Sequence, residues 1–537
     1  MTTPTTSDFL LENATKYADK PALSSKDKSG NWDTTNWSEF CNETMDVAKS
    51  LSALGFKKND KLSIYSYNRK EWYVAYAAAN FCNGAGVGVY HTCSPEEVEW
   101  VVGNSDSKFV FVGHNPMDGG DKEKMCTHRL HKILDSLEKV EKVIVMDGVD
   151  MPSHPKAISW EDFISKGKDV SESQIHDSIK SIGPEDTATL IYTSGTTGKP
   201  KGVMLSHENI IQGGKNVMIS HELQSKDRAL CVLPLYHING LIVTVMGPLV
   251  SNSSLVLCEK FSATNFWNYI SKFSCSWFSV VPTIISSLLN KYSYDEFNSL
   301  DLSSIRFGRS ASAALAPETH KNFEKKFNIK MIETMGLTES CAPILSNPLP
   351  PKKIKYGSPG IPYGNKVIIL DDNFKEVPKN TIGQICVSGK NVMKEYYKNI
   401  EETKKSFYKN WFLTGDLGLM DDENFVFVRG RIKELIIKGG ENISPREIDD
   451  VLYQHPNVLE AAAFGVKCEH YGEKIEAGIV LKNNKDLTED ELIHHCRNFL
   501  GEFKSPDKIH FLKELPKGSS GKIQRLKIKD NIETIEN

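Results

Sequence analysis

An α/β fold in two units is what this chain of 537 residues predicts, and three observations carry that expectation. Over about the first 180 residues, helical and strand-like segments alternate, as they do when helices cover a mostly parallel sheet. The chain is too long for one ordinary core, so at least two packed units are needed. Near residue 430 a short basic segment gives way to Gly439-Gly440 and then to a helix start at Ser444, Pro445 and Glu447, which reads as a linker into a separate unit. The expected division is a large unit over residues 1–430 and a small one over 431–537.

Composition narrows the function classes. Lys and Arg total 65 against 69 Asp and Glu, a formal charge of −4, which argues against a dominant nucleic-acid surface or an anionic-membrane surface. Peripheral membrane contact through a local basic patch stays open. Eleven cysteines are scattered singly with no CxxC pair, so a reduced compartment is expected rather than a disulfide scaffold or a zinc ribbon. The N-terminus is polar and unlike a secretory signal, and the C-terminus is not a peroxisomal tripeptide, so a cytoplasmic location is expected. The longest apolar run, "GLIVTVMGPLV", is broken by Gly247-Pro248 and too short to span a bilayer.

Taken in order, the elements follow from local signals. "GAGVGVY" reads as a buried strand, and Ser94, Pro95 and Glu97 open a helix with capping-box spacing. The lysine-rich piece around 120–145 reads as a solvated helix, with Cys126, His128 and His131 at the surface. Then comes "IYTSGTTGKPKGVMLSHENI", residues 191–210. Thr193, Ser194, Thr196 and Thr197 bring hydroxyls, Gly195, Gly198 and Gly202 bring backbone freedom, and Lys199 and Lys201 bring positive charge. Such a composition suits phosphate, because glycines let the backbone N–H groups approach an anion while hydroxyls and ammonium groups add donors. Read alone it also suits a flexible surface loop. An apolar strand precedes it, and Ser206 is placed to cap a helix after it. The loop is not a Walker motif, since the Gly195 to Gly198 spacing is short and Pro200 stands where Ser or Thr is needed.

This loop resembles the phosphate-binding signature of the adenylate-forming superfamily. That superfamily includes acyl-CoA synthetases, 4-coumarate-CoA-ligase-like enzymes, firefly luciferase and the adenylation domains of peptide synthetases. The resemblance implies a large multi-subdomain adenylation domain with a small mobile α+β C-terminal domain. It also implies ATP-dependent activation of a small-molecule carboxylic acid as an acyl-adenylate, then transfer to CoA, with ATP and Mg²⁺ required.

The remaining motifs appear in the order the resemblance requires. "SIRFGRSASAALAP" places Ser312, Ala313 and Ala314 beside the nucleotide, and Pro317 opens a helix. "IKMIETMGLTES" matches the YGxTE pattern, with Met335 in the tyrosine position and Thr338 and Glu339 toward the α-phosphate and Mg²⁺. Thr193 is the second predicted metal contact. "WFLTGDLG" ends an apolar strand at Asp416, expected on the ribose hydroxyls with Arg431 as second contact, and Lys433 is the implied hinge. Gly439 and Gly440 are implied on the CoA face. Thr488 and Glu491 cap another helix, around which His494, His495 and Cys496 splay too widely for a metal. Lys522, after a Ser-Ser-Gly, matches the adenylation lysine and follows charge developing at the α-phosphate. Thr193, Glu339 and Lys522 are the predicted catalytic set.

The acid is left open. The front of the chain resembles long-chain and bubblegum-type acyl-CoA synthetases, which favours a fatty or general acyl group, with "FSVVPTIISSLL" as a pocket wall. From Ser304 to Gln524 it resembles oxalyl-CoA synthetases, which implies a small diacid held by a cation. His237, Asn239, Arg309 and Met335 are the predicted acyl-pocket residues, with Arg306 a further candidate clamp. The fatty or general acid is the first expectation, the diacid an alternative, and a non-CoA acceptor another.

Overall fold

Runs of short, almost wholly apolar strands build the large domain, because a parallel sheet with helices on both faces buries both sides of each strand. The computed structural model describes every residue except 1–2, 114–120, 194–198, 293–296, 298, 483–485, 519–521, 531 and 533–537. Among the described residues the large domain holds two long mixed sheets and a smaller antiparallel one, and the small domain holds a fourth sheet. The predicted α/β class and the large and small domains are both present.

In the first long sheet the parallel run is Met331–Met335, Phe307–Ser310, Trp277–Val280, Arg228–Cys231, Ser254–Leu257 and Pro21–Lys26. In the second, Thr187–Thr193 pairs parallel with Ala85–Val89 on one side and antiparallel with Lys201–Ser206 on the other. Thr193 and Lys201 are thus register partners where these two antiparallel strands meet. A single hydrophobic core joins the two sheets. The helix Lys70–Phe81 runs through that core with Trp72 through Phe81 all buried, as expected for a helix apolar on every side.

Local signals and structure agree at several ends. Ser94 and Glu97 form a reciprocal capping box on Pro95–Asn104, Ser206 caps His207–Ser220 with Asn209, and Thr488 and Glu491 cap Glu489–Lys504. Three expectations need correction. The 120–145 piece is a 3₁₀ turn, a short helix Cys126–Ile133 and a strand Lys142–Val145, and Cys126 is buried because that helix covers the second sheet. Asp416 does not end its strand, since Trp411–Met420 continues past it, with Gly415 at φ +74°. Ser444 makes no side-chain cap on Pro445–Leu452, because its hydroxyl donates instead to the Arg429 carbonyl.

The apolar run at 239–251 forms a wide helical turn, Asn239–Met246, then Gly247–Ser251, entirely buried. Among the described residues no helix is long and apolar enough to cross a membrane. The small domain is a sheet with the helices Pro445–Leu452 and Glu489–Lys504 against it.

One close approach fixes how the helix after the loop meets the site. A Cβ on Gly213, in His207–Ser220, would overlap the carbonyl oxygen of Cys341, just beyond the turn Thr338–Ser340. Gly213→Ala is therefore expected to cost about 1–3 kcal/mol by overpacking. It should lower the urea midpoint without changing the slope, and an unchanged midpoint would contradict the contact.

Candidate active site

A cleft opens between the two domains. Ser312, Ala313 and Ala314 form one wall, Met335 with Gly336 and Leu337 a second, and Asp416 with Arg431 a third, while Lys522 enters from the small domain. Asp416 and Arg431 face each other across the antiparallel strands Trp411–Met420 and Val426–Arg431, so their side chains emerge together. Arg431 Nε donates to Asp416 Oδ1 at 2.8 Å, and that carboxylate holds the guanidinium above the ordinary arginine value.

Lys522 is held beside the bridge between Lys517 and Ile523 by bonds from Gly518 N to Lys522 O and from Gln524 N to Pro516 O, both at 2.8 Å. Burial in the cleft, and secondarily the nearby Arg431 charge, push its ammonium below the ordinary lysine value.

The strand Phe307–Ser310 runs into a turn in which Ser312 has φ +72°, a left-handed conformation that costs a non-glycine residue about 1–2 kcal/mol. Asn239 holds that turn. Its Nδ2 donates to Ser312 Oγ at 3.1 Å, while its Oδ1 accepts from Ser279 Oγ at 3.0 Å and from Arg309 Nη1 at 2.7 Å. Arg309 Nη1 also donates to Ser279 Oγ at 2.7 Å, and the two residues are register partners on adjacent parallel strands. Arg309 is 1% exposed, and its Nε has no hydrogen-bond partner among the described residues. Burial alone pulls its pKa down, to about 9, with no carboxylate offsetting it. His237 lies beside Tyr90, ring centroids 4.6 Å apart, and burial keeps its imidazole neutral by lowering its pKa to about 4.

Thr338 and Glu339 sit in the turn Thr338–Ser340 after the strand Met331–Met335. Tyr396 donates its hydroxyl to Glu339 Oε1 at 2.7 Å. Thr193 ends its strand, and Ser194, Gly195, Thr196, Thr197 and Gly198 lie outside the described residues.

Several predicted residues make contacts of their own. Lys199 is stacked over Trp100 at 4.2 Å, and Lys201 is ion-paired with Glu402 at 2.6 Å and lies 4.6 Å from the Tyr396 ring. Gly439 and Gly440, at φ +59° and +82°, form the two-residue tip of the hairpin Ile436–Lys438 and Glu441–Ile443, away from the cleft. Arg306 is no clamp for a substrate. It pairs with Asp227 at 2.7 Å and donates to the His221 and Glu222 carbonyls. Lys433 is exposed in the turn Ile432–Glu434, between the last strand of the large domain and the first of the small one.

Three residues of the site were not found from the sequence. Arg446 donates from Nη1 to the Val428 carbonyl at 2.7 Å and from Nη2 to the Gly357 carbonyl at 3.3 Å, tying the small domain to the large one. A cation in the first turn of a helix opposes the helix dipole, which was the available signal. Arg525 grips Asp449 and the Ala463 carbonyl behind Lys522, and Tyr396 reaches Glu339. Neither carries a local sequence signal, because both contacts are remote in the chain.

The AMP-binding enzyme family matches residues 10–397, and the AMP-binding enzyme C-terminal domain matches residues 447–522. The chain belongs to the AMP-binding enzyme family. A sulfoacetate–CoA ligase of Cupriavidus necator is 37% identical to it over 97% of this chain and 96% of that one. An oxalate–CoA ligase of Saccharomyces cerevisiae is 42% identical over 63% of this chain and 62% of its own length. The crystal structure of the anthranilate–CoA ligase AuaEII with anthranoyl-AMP matches with a TM-score of 0.86 at 26% identity, covering 98% of this chain and 97% of that one. The predicted enzyme class, an AMP-forming acid–CoA ligase, stands with that membership.

The lowered pKa of Lys522 gives a pH prediction. A lysine that acts protonated keeps its charge at low pH and loses it as pH rises through its folded value, which here lies below 10.5. ATP–pyrophosphate exchange should therefore fall along an alkaline limb that begins below the ordinary lysine range. Lys522→Ala should lose ~10²–10³ in rate together with that limb, and Lys522→Arg should lose the limb alone. A wild-type profile without the limb would contradict a titrating Lys522.

Proposed function

We propose that this ligase activates a small acid bearing a second anionic group, a carboxylate or sulfonate, and joins it to CoA. The observation that carries this reading is Arg309. A guanidinium 1% exposed, with an unpartnered Nε, is costly to bury without an anion. Its hydrogen bonds run through Asn239 to Ser312 in the cleft wall, so the missing anion belongs at the acyl end of the site. The sulfoacetate and oxalate ligases among the relatives act on acids of this kind.

The fatty-acid expectation is weakened by the same region. In the helix Pro282–Lys291, Ile284, Ile285 and Leu288 point into a separate core, and Pro282, Thr283 and Ser286 face the cleft. The apolar residues of "FSVVPTIISSLL" thus serve the fold rather than a long channel.

In this reading Asp416 and Arg431 hold the ribose, Ser312 to Ala314 border the nucleotide and acyl group, and Met335 packs against the adenine. Arg309, oriented by Ser279 and Asn239, fixes the distal anion, and neutral His237 closes the pocket without adding charge. The reacting carboxylate then lies in line with the α-phosphate. It attacks, the bond to the β-phosphate oxygen breaks, and pyrophosphate leaves while Lys522 and the loop from Thr193 neutralise the charge that develops. The CoA thiol, its proton passing to solvent, next attacks the acyl carbonyl, and AMP leaves with the former carboxylate oxygen. Lys433 is the hinge between the two steps, and Gly439-Gly440 faces CoA in the second.

Among the described residues no cluster of three or more metal-ligating side chains exists. Glu339 with the Thr338 hydroxyl fits a magnesium ion that arrives on ATP and keeps its waters and phosphate oxygens. That ion supplies charge neutralisation on the phosphates.

AMP release should be measured with oxalate, malonate, sulfoacetate, an uncharged short acid, benzoate and palmitate. The short dianionic acids should be preferred, and Arg309→Met should lower their kcat/KM by about 10²-fold or more while ATP still binds. Preference for palmitate, or an unchanged dianion preference in the variant, would overturn the substrate assignment.

A further inference from the structure

The cleft residues leave one segment unexplained, residues 390–403, whose bonds go to two separate parts of the site. Asn391 Nδ2 donates to the Ser340 carbonyl at 2.7 Å, and Met393 N donates to the Glu339 carbonyl at 2.7 Å. Further along, Tyr396 and Val203 are register partners in the strand pair Glu395–Tyr396 and Lys201–Ser206, and Tyr397 N donates to the Gly202 carbonyl at 2.8 Å. Asn209 Nδ2 reaches back to the Lys390 and Val392 carbonyls at 2.8 and 2.9 Å. One strap therefore joins the Thr338–Ser340 turn to the return strand of the 194–200 loop.

Tyr396 is the side chain at the meeting point. It is 5% exposed, its ring lies 4.6 Å from the Lys201 ammonium, and its hydroxyl donates to Glu339 Oε1 at 2.7 Å. Lys201 in turn is held by Glu402 at 2.6 Å, on the helix Ile400–Lys405 that continues the strap.

We propose that Tyr396 is a positioning residue for adenylation. By occupying Glu339 Oε1, its hydroxyl orients the carboxylate so that the other oxygen faces the metal-bound phosphates, with the 390–403 strap fixing Glu339 against the strand Lys201–Ser206. Lys201, neutralised by Glu402, contributes to that spacing rather than to phosphate charge. A carboxylate whose rotamer is locked by a second partner loses less freedom when it binds, which is why such partners commonly carry ~10–100-fold in metal affinity or activity. The proposal rests on the reading of Glu339 as the residue toward Mg²⁺.

Tyr396→Phe tests it, because the ring, its packing and its contact with Lys201 remain and only the hydroxyl is lost. The thermal midpoint should stay close to wild type. ATP–pyrophosphate exchange should fall about 10–100-fold, and the Mg²⁺ concentration for half-maximal exchange should rise. Calorimetry should show weaker ATP binding with Mg²⁺ but unchanged binding in EDTA, and thioester formation from supplied acyl-adenylate should proceed at the wild-type rate. Equal loss of ATP affinity with and without Mg²⁺, or wild-type exchange and Mg²⁺ dependence, would overturn the positioning role. Glu339→Gln separates the two layers. If it impairs exchange while Tyr396→Phe does not, only Tyr396 is misassigned, and if Glu339→Gln has no effect, the reading of Glu339 fails and the proposal with it.

Discussion

A buried arginine without an acidic partner constrains this site more than any other feature. Arg309 sits within a parallel strand, next to Ser279 in register, at 1% exposure. Leaving its charge there is unfavourable unless the surroundings satisfy it, and among the described residues it is met by neutral oxygens, from Ser279 and Asn239. Those two bonds account for much of the local architecture. Asn239 begins the wide helical turn Asn239–Met246, which places its amide between Arg309 and the cleft. Ser312 in turn accepts a left-handed backbone because Asn239 pins its hydroxyl. The cation, its orienting groups and the Ser312 wall of the cleft are one hydrogen-bonded unit.

The two domains meet through few but specific polar contacts. Asp416 and Arg431 form a cross-strand pair at the end of the large domain, and the chain passes directly from Arg431 into the turn Ile432–Glu434 and the small domain. The Asp416–Arg431 pair and the domain connection are therefore mechanically continuous. Lys522 reaches the cleft because Arg525, fixed on Asp449, anchors the turn that carries it, and Arg446 bonds to main-chain carbonyls across the interface. Main-chain acceptors make the docked arrangement insensitive to side-chain identity on the large domain while holding its geometry.

Much of this was legible in the sequence because it depends on local rules. Caps at Ser94, Ser206 and Thr488, the strand before Thr193 and the turn of small residues at Ser312 all follow from spacing and residue type. The family motifs placed Asp416, Arg431 and Lys522 together although more than a hundred residues separate the first from the last. What escaped is what depends on remote partners. Ser444 has the composition of a cap, yet the Arg429 carbonyl competes for its hydroxyl. Lys199 and Lys201 read as phosphate ligands by composition, and composition does not show the contacts they make with Trp100 and Glu402, each brought in from another part of the chain. Arg306 and Arg309 are indistinguishable as residue types. The sheet turns one to the surface against Asp227 and buries the other.

The most direct test is a crystal structure of the protein with a nonhydrolysable ATP analogue and whichever short dianionic acid turns over best. The account predicts the distal anion within about 3 Å of the Arg309 guanidinium, with Asn239 still bonded to Ser312. A distal group directed away from Arg309, with its Nε still unpartnered, would contradict the assignment of that arginine as the counterion of the substrate.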